Sequence, residues 1–208
     1  VWGARWGVTD AETALAFPCD SFVTDPELEA WRGVTVHAPA PQVWAWVTQI
    51  RVAPYSYDLI DNGARRSPRR LLALPEPRLG EGFTACAGRP VGRVVSVEPG
   101  RSLTGVIAGC YLSYVVVPES EATSRLLLKL VMDTNRATAA VLSLGDLVMA
   151  RRQLLNLKAL AEEVPPTRRE VRRTSTVGAS RDHLLGKAVG LLFSHRHRRL
   201  ARRFGARR

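Results

Sequence analysis

Cysteine is scarce in this chain, and what little there is forms no framework. Cys19, Cys86 and Cys110 are odd in number and widely spaced, with no Cys-x-x-Cys pair, so a set of structural disulfides is excluded and no zinc motif is offered. A reducing, cytoplasmic compartment is the resulting expectation. Long apolar runs are also missing. The uncharged stretch from Ser102 to Pro118 is interrupted by Gly105 and Gly109, whereas a membrane helix needs roughly 20 continuous apolar residues; it reads as two strands. The opening Val-Trp-Gly-Ala-Arg-Trp-Gly lacks the basic segment and apolar core of a secretory leader, so none is expected. There is no Gly-x-Ser-x-Gly elbow and no phosphate loop. Gly88-Arg89-Pro90-Val91-Gly92 has the wrong spacing for a nucleotide loop and reads as a turn between strands. His183, His195 and His197 sit among arginines, whose charge disfavours a metal. No metal and no cofactor is therefore expected.

Acidic residues are nearly absent from one part of the chain, and this explains the charge of the whole. The 208 residues hold 30 Lys+Arg and 19 Asp+Glu, a net charge of +11. Residues 1–164 contain 17 of each sign, while residues 165–208 contain 13 basic and 2 acidic side chains, 13 − 2 = +11. The part able to fold around a core is neutral, so a basic nucleic-acid-binding fold is not indicated. Only Lys129, Lys158 and Lys187 are lysine; the other basic residues are arginine.

Residues 1–32 read as an irregular arm belonging to the domain, with scattered aromatics and many turn formers. Val34, Val36 and Ala38 alternate with Thr35 and His37 as a half-buried strand does, which leaves His37 exposed. Pro39 and Pro41 then suit the first turn of a helix, whose Val43, Trp46, Val47 and Ile50 fall on one face. Residues 51–81 carry five arginines between Arg65 and Arg78 and read as loop with short helical pieces. Strands follow at Gly92–Val97, Leu103–Ala108, Tyr111–Val117 and Arg125–Met132. Glu98-Pro99-Gly100-Arg101 between the first two has the residues of a type II turn. A long helix is expected from a capping box at Ser143–Asp146, with Leu147, Val148, Leu154, Leu155 and Ala161 as its apolar stripe, ending at Pro165-Pro166. The layout is α+β: a curved antiparallel sheet wrapped around a closing C-terminal helix over residues 33–164, followed by a basic tail over 165–208.

Three blocks resemble a known family. Trp6-Gly7-Val8-Thr9-Asp10-Ala11-Glu12, then Val36-His37-Ala38-Pro39-Ala40-Pro41-Gln42-Val43-Trp44, then Tyr55-Ser56-Tyr57-Asp58 with Asp61-Asn62 are similar to bacterial SRPBCC proteins. These form the START-like helix-grip superfamily, often labelled polyketide cyclase/dehydrase, and the last block resembles an actinobacterial-type branch. Gly145-Asp146-Leu147-Val148 resembles the start of that family's closing helix. The resemblance covers roughly residues 5–163; the tail matches nothing in it, and Pro18-Cys19-Asp20 stands where relatives often have Pro-Gly-Asp. It implies a helix-grip fold with an internal cavity for a small hydrophobic molecule such as a lipid or polyketide, more than it implies a reaction.

On that basis Trp46, Ile50, Tyr55, Tyr57, Asp58 and Asn62 are expected at the cavity, with Tyr114 and Leu128 from the sheet and Val148, Arg151 and Leu155 from the helix. Two readings stand for Tyr57 and Asp58. Facing an apolar cavity, they would form a carboxylate base and an orienting phenol for a cyclase or dehydratase; otherwise the tyrosines plug one end while Asp58 and Asn62 cap a helix and bond the loop backbone. Ligand binding without assigned catalysis is the leading reading. Arg151, Lys158 and Lys129 either meet an acidic head group or lay their stems on apolar surface with the charge in water. In the tail, Leu184, Leu185, Ala188, Leu191 and Leu192 at helical spacing precede Arg196, Arg198, Arg199, Arg202 and Arg203. That pattern fits an anionic membrane surface, nucleic acid, or a simple disordered extension.

Overall fold

The computed structural model describes residues 3–163; the tail arginines and leucines, and everything expected of them, lie outside the described residues. Two short elements, β1 (Arg5–Trp6) and α1 (Asp10–Thr13), open the chain, followed by a single turn at Pro18–Ser21, β2 (Leu28–Val36) and α2 (Ala40–Thr48). After α3 (Asp58–Asp61) come the small strands β3 (Thr84–Cys86) and β4 (Arg89–Val91). The remaining strands are β5 (Arg93–Glu98), β6 (Ser102–Ile107), β7 (Cys110–Pro118) and β8 (Ser124–Met132), and α4 (Arg136–Glu163) closes the set.

Six strands form one sheet in the order β1-β2-β8-β7-β6-β5, antiparallel at every junction except the parallel β1–β2 pair. The expected turn at Gly100 is there: its φ is +77°, and the Arg101 N–H donates to the Glu98 carbonyl at 3.0 Å. α2 and α4 lie against one face of this sheet. Val43, Trp46 and Val47 from α2, with Ile50 from the turn after it, meet Val34, Val36, Tyr114, Val116, Leu126 and Leu128 from the sheet and Leu154, Leu157 and Leu160 from α4. This is the helix-grip arrangement. Among the described residues no helix is long and apolar enough to cross a membrane.

The other face of the sheet is not left to water. Phe17 and Cys19 from the arm pack on Leu127 and Val131, with Trp31, Val115 and Val117 around them. Strands covered on both sides read as apolar runs, not alternating ones, which is why β7 and β8 are so rich in Val and Leu.

Several expectations need correction. Regular strand structure starts at Leu28, not Val34; Leu28 and Ala30 are buried, but the neighbouring Glu29, Trp31 and Arg32 hide the period because the outer face also has a lining. Gly88–Gly92 is not a turn: the turn is at Ala87-Gly88, both with positive φ, and Arg89–Val91 pairs with β3. The closing helix begins at Arg136, so Ser143–Asp146 lies inside it and is not its cap. The alanine-rich run before Ser143 has high helix propensity and carries the helix through Gly145. The buried stripe of α4 is Ala150, Leu154, Leu157 and Ala161, spaced i, i+4, i+7, i+11. Val148, Arg151 and Leu155 lie off that stripe and are exposed, so they do not face the sheet.

Candidate functional site

Tyr55 is the pivot around which two concavities are arranged. Its φ is +56°, a left-handed conformation that a bulky residue adopts only when its surroundings enforce it. The enforcement is visible: Gln49 Nε2 donates to the Tyr55 hydroxyl at 2.6 Å, Asn156 Nδ2 donates to the Tyr55 carbonyl at 2.9 Å, and the ring meets Trp46 edge-on at 6.1 Å. Burial pushes the Tyr55 phenol up to about 12 against the Gln49 hydrogen bond, with the Asp58 charge adding to the rise. The turn places Ser56 at a wall shared by both concavities.

The inner one lies between the sheet and α4 and has a volume of ≈ 160 Å³. Ile50, Phe83, Leu112, Tyr114, Leu128 and Ala150 give it apolar walls; Ser56, Asp61, Thr84 and Gln153 supply polar groups. Tyr114 donates its hydroxyl to Gln153 Oε1 at 2.5 Å, and Gln153 Nε2 donates to the Pro54 carbonyl at 2.5 Å. Asp61 is the distinctive group. Ser56 donates its hydroxyl to Asp61 Oδ2, while Asp61 Oδ1 is buried with no hydrogen-bond partner. Burial raises the Asp61 pKa above its ordinary value, against the backbone N–H groups of Asp61 and Tyr57 and with help from the charge of Asp58. A carboxyl in that state can hold or accept a proton at one free oxygen.

The outer cleft, ≈ 540 Å³, opens between α3, the arginine-rich loop after it and α4. Tyr57 and Asp58 belong to this one, not to the inner pocket. Tyr57 is 37% exposed and lies under the Arg152 guanidinium at 5.8 Å. Asp58 accepts from the Ser67 N–H at 2.9 Å and the Ser67 hydroxyl at 2.6 Å, which is the loop-bonding role. Asn62 is buried and does the same: its amide donates to the Arg65 carbonyl at 2.7 Å and accepts from the Ala87 N–H at 3.1 Å.

Of the residues expected at the cavity, Ile50, Tyr114 and Leu128 line the inner pocket, while Tyr55 lines the outer cleft. Trp46 is buried behind Tyr55 and lines neither. Arg151 rests over the Trp6 ring at 5.1 Å, and Lys158 donates to the Thr35 carbonyl at 2.7 Å and pairs with Glu162. Both basic stems are spent on structure. Lys129 is buried on the outer face of the sheet between Asp20 at 2.6 Å and Glu29 at 2.7 Å, away from the pocket. Sequence reading missed Asp61, Ser56, Phe83 and Gln153. Asp61 stands three residues from Asp58 on one short helix, a spacing that puts both carboxylates near one face and does not say which of them lines the pocket.

No family model matches the chain, and no curated protein matches it. Solved structures do. A protein from Mesorhizobium loti aligns at 14% identity and TM-score 0.44 over 66% of this chain and 98% of its own. A protein from Nitrosomonas europaea aligns at 12% and 0.47, over 67% and 97%. The di-domain ARO/CYC BexL from the BE-7585A biosynthetic pathway aligns at 19% and 0.43, over 64% of this chain and 46% of its own.

Proposed function

We propose that this chain is a helix-grip protein of the SRPBCC type that binds a small, largely apolar molecule of about one ring in the pocket between sheet and α4. The observation that supports the reading is the pocket itself: ≈ 160 Å³, apolar on most sides, with one buried, unpartnered carboxyl oxygen at Asp61. An apolar cavity of about 150 Å³ accepts a benzene-sized molecule. The Asp61 oxygen sets the polarity of that molecule, since a hydroxyl or N–H pointing at it satisfies an atom that otherwise has no partner. Phenols have that combination; a long acyl chain or a fused polyketide exceeds the volume.

A catalytic reading attaches to Asp61 and not to Tyr57 and Asp58, whose groups serve the outer cleft. With its raised pKa, Asp61 could take a proton from a ligand whose acidic hydrogen meets Oδ1, as a general base does. Titration with p-cresol, toluene and 2-naphthol, followed by NMR of the Phe83 and Tyr114 rings, tests the binding reading. The expected order is p-cresol tightest, toluene about tenfold weaker for want of the hydroxyl, and 2-naphthol weakest. Equal binding of all three, or none, overturns it. Asp61→Asn is expected to keep p-cresol binding while abolishing any proton-transfer activity.

A further inference from the structure

The outer cleft has a chemistry that the inner pocket lacks. At ≈ 540 Å³ it falls within the range of small-molecule sites, roughly 300–1,000 Å³. Arg66, Arg69 and Arg152 line it. Arg69 is paired with Glu163 at 2.9 Å, but Arg66 and Arg152 have no acidic partner among the described residues. Asp58, the carboxylate on this wall, already has both oxygens occupied by Ser67. Two guanidinium groups therefore line the same space with no acidic partner among the described residues, and Arg152 is steadied against the Tyr57 ring.

Beside them the surface is apolar. Leu59 and Ile60 on α3 are 79% and 72% exposed, an unusual state for adjacent large aliphatic side chains, and Leu160 on α4 closes the far wall. A ligand that satisfies both halves carries a negative end and an apolar body. We propose that this cleft binds an amphipathic anion, its carboxylate or phosphate held between Arg66 and Arg152 and its chain laid on Leu59, Ile60 and Leu160. Guanidinium groups suit this role because their fork of donors matches the oxygens of either anion. The site is separate from the inner pocket, so each stands or falls alone.

The full chain is titrated by calorimetry with decanoate below its micelle concentration, and with decanol and inorganic phosphate, each of which lacks one half of the ligand. Decanoate is expected to bind at least tenfold more tightly than either. Arg66→Gln with Arg152→Gln is expected to weaken decanoate at least tenfold, and Leu59→Ser with Ile60→Ser to erase the preference for decanoate over acetate. All these side chains are exposed, so the variants fold, and the basic tail is present in every one and cancels from the comparison. Decanol binding as tightly as decanoate, or unchanged affinity in the arginine variant, overturns the proposal. Sedimentation with phosphatidylglycerol vesicles separates the sources of the anion. Binding lost in the arginine variant assigns the anion to a lipid headgroup and supports the cleft; vesicle binding unchanged while decanoate is lost assigns it to the free acid and supports it equally. p-Cresol shifts at Phe83 are expected to be unaffected by the arginine substitutions.

Discussion

Tyr114 donates its hydroxyl to Gln153 Oε1 at 2.5 Å, which ties the middle of β7 to the middle of α4 across the inner pocket. Because Gln153 also donates to the Pro54 carbonyl, one amide joins the sheet, the closing helix and the loop that carries Tyr55. Gln153→Ala is expected to cost about 1–3 kcal/mol, since it takes a hydrogen-bond partner from the Tyr114 phenol and from the Pro54 carbonyl. Urea unfolding monitored by tryptophan fluorescence measures it, and Tyr114→Phe should cost less than Gln153→Ala.

Gly105 on β6 is where the sheet admits the Phe83 ring. A Cβ at Gly105 would stand 2.0 Å from Phe83 Cγ, so the ring must leave its place. Gly105→Ala is expected to destabilise by about 1–3 kcal/mol through overpacking and to change p-cresol affinity. In a Phe83→Ala background, where the ring is gone, the same Gly105→Ala change should cost less.

Two basic residues on the outer face, each paired with acids, respond to opposite ends of the pH scale. Arg125 grips Glu12 through both oxygens at 2.7 and 3.0 Å; burial alone would raise the Glu12 pKa, but the Arg125 and Thr9 hydrogen bonds outweigh it and the value falls below normal. A depressed acid stabilises the fold above its unfolded pKa of about 4.3 and loses that contribution as pH falls through the folded value. Glu12→Gln should therefore cost about 1–2 kcal/mol at pH 7 and nothing at strongly acidic pH. Burial alone would lower Lys129, but Asp20 and Glu29 outweigh it and raise the value. Its contribution is complete below about 10.4 and disappears as pH rises through the folded pKa. Lys129→Met should cost about 2 kcal/mol at pH 7, below the full cost of a buried pair because both carboxylates are a third exposed.

Asp61 reverses the acid case. Its folded pKa is raised, so its ionised form weakens the fold, and stability from this group increases as pH falls through that raised value. Asp61→Asn keeps an acceptor for Ser56 and removes the charge, so thermal unfolding at pH 7 should occur at a higher temperature than in the native chain. The difference should vanish at acidic pH.

The three thiols should separate by reactivity. Cys86 is exposed, Cys110 half-buried and Cys19 fully buried, with burial pushing the Cys19 thiol up to about 11. A thiol reagent at pH 8 is expected to modify Cys86 first, and Cys19 only when the protein unfolds.

Much of the fold could be read from single residues. The alternation of Leu126, Leu128 and Leu130, the Pro-Gly turn at Gly100 and the Val43–Ile50 stripe all depend on local period and turn chemistry, and the structure has all of them. The start of β2 and the face of α4 could not be read so. Lys129 is buried and Trp31 half-buried because the arm returns over the sheet, and Val148 and Leu155 are apolar without being covered. The inner pocket was harder still, since Asp58 and Asp61 share one short helix and only the packed structure shows which of them lines it. Pattern reading singled out this loop and Asp58; the carboxylate that lines the inner pocket is Asp61.

The arm over the outer face has a further consequence. With Phe17 and Cys19 on one side and the helices on the other, the backbone amides of β7 and β8 are shielded from water along both faces as well as by their neighbours in the sheet. Their exchange with deuterium requires the arm and the helix layer to open together, so these central strands act as the slowest clock in the domain, and a chain shortened past Cys19 would run that clock fast.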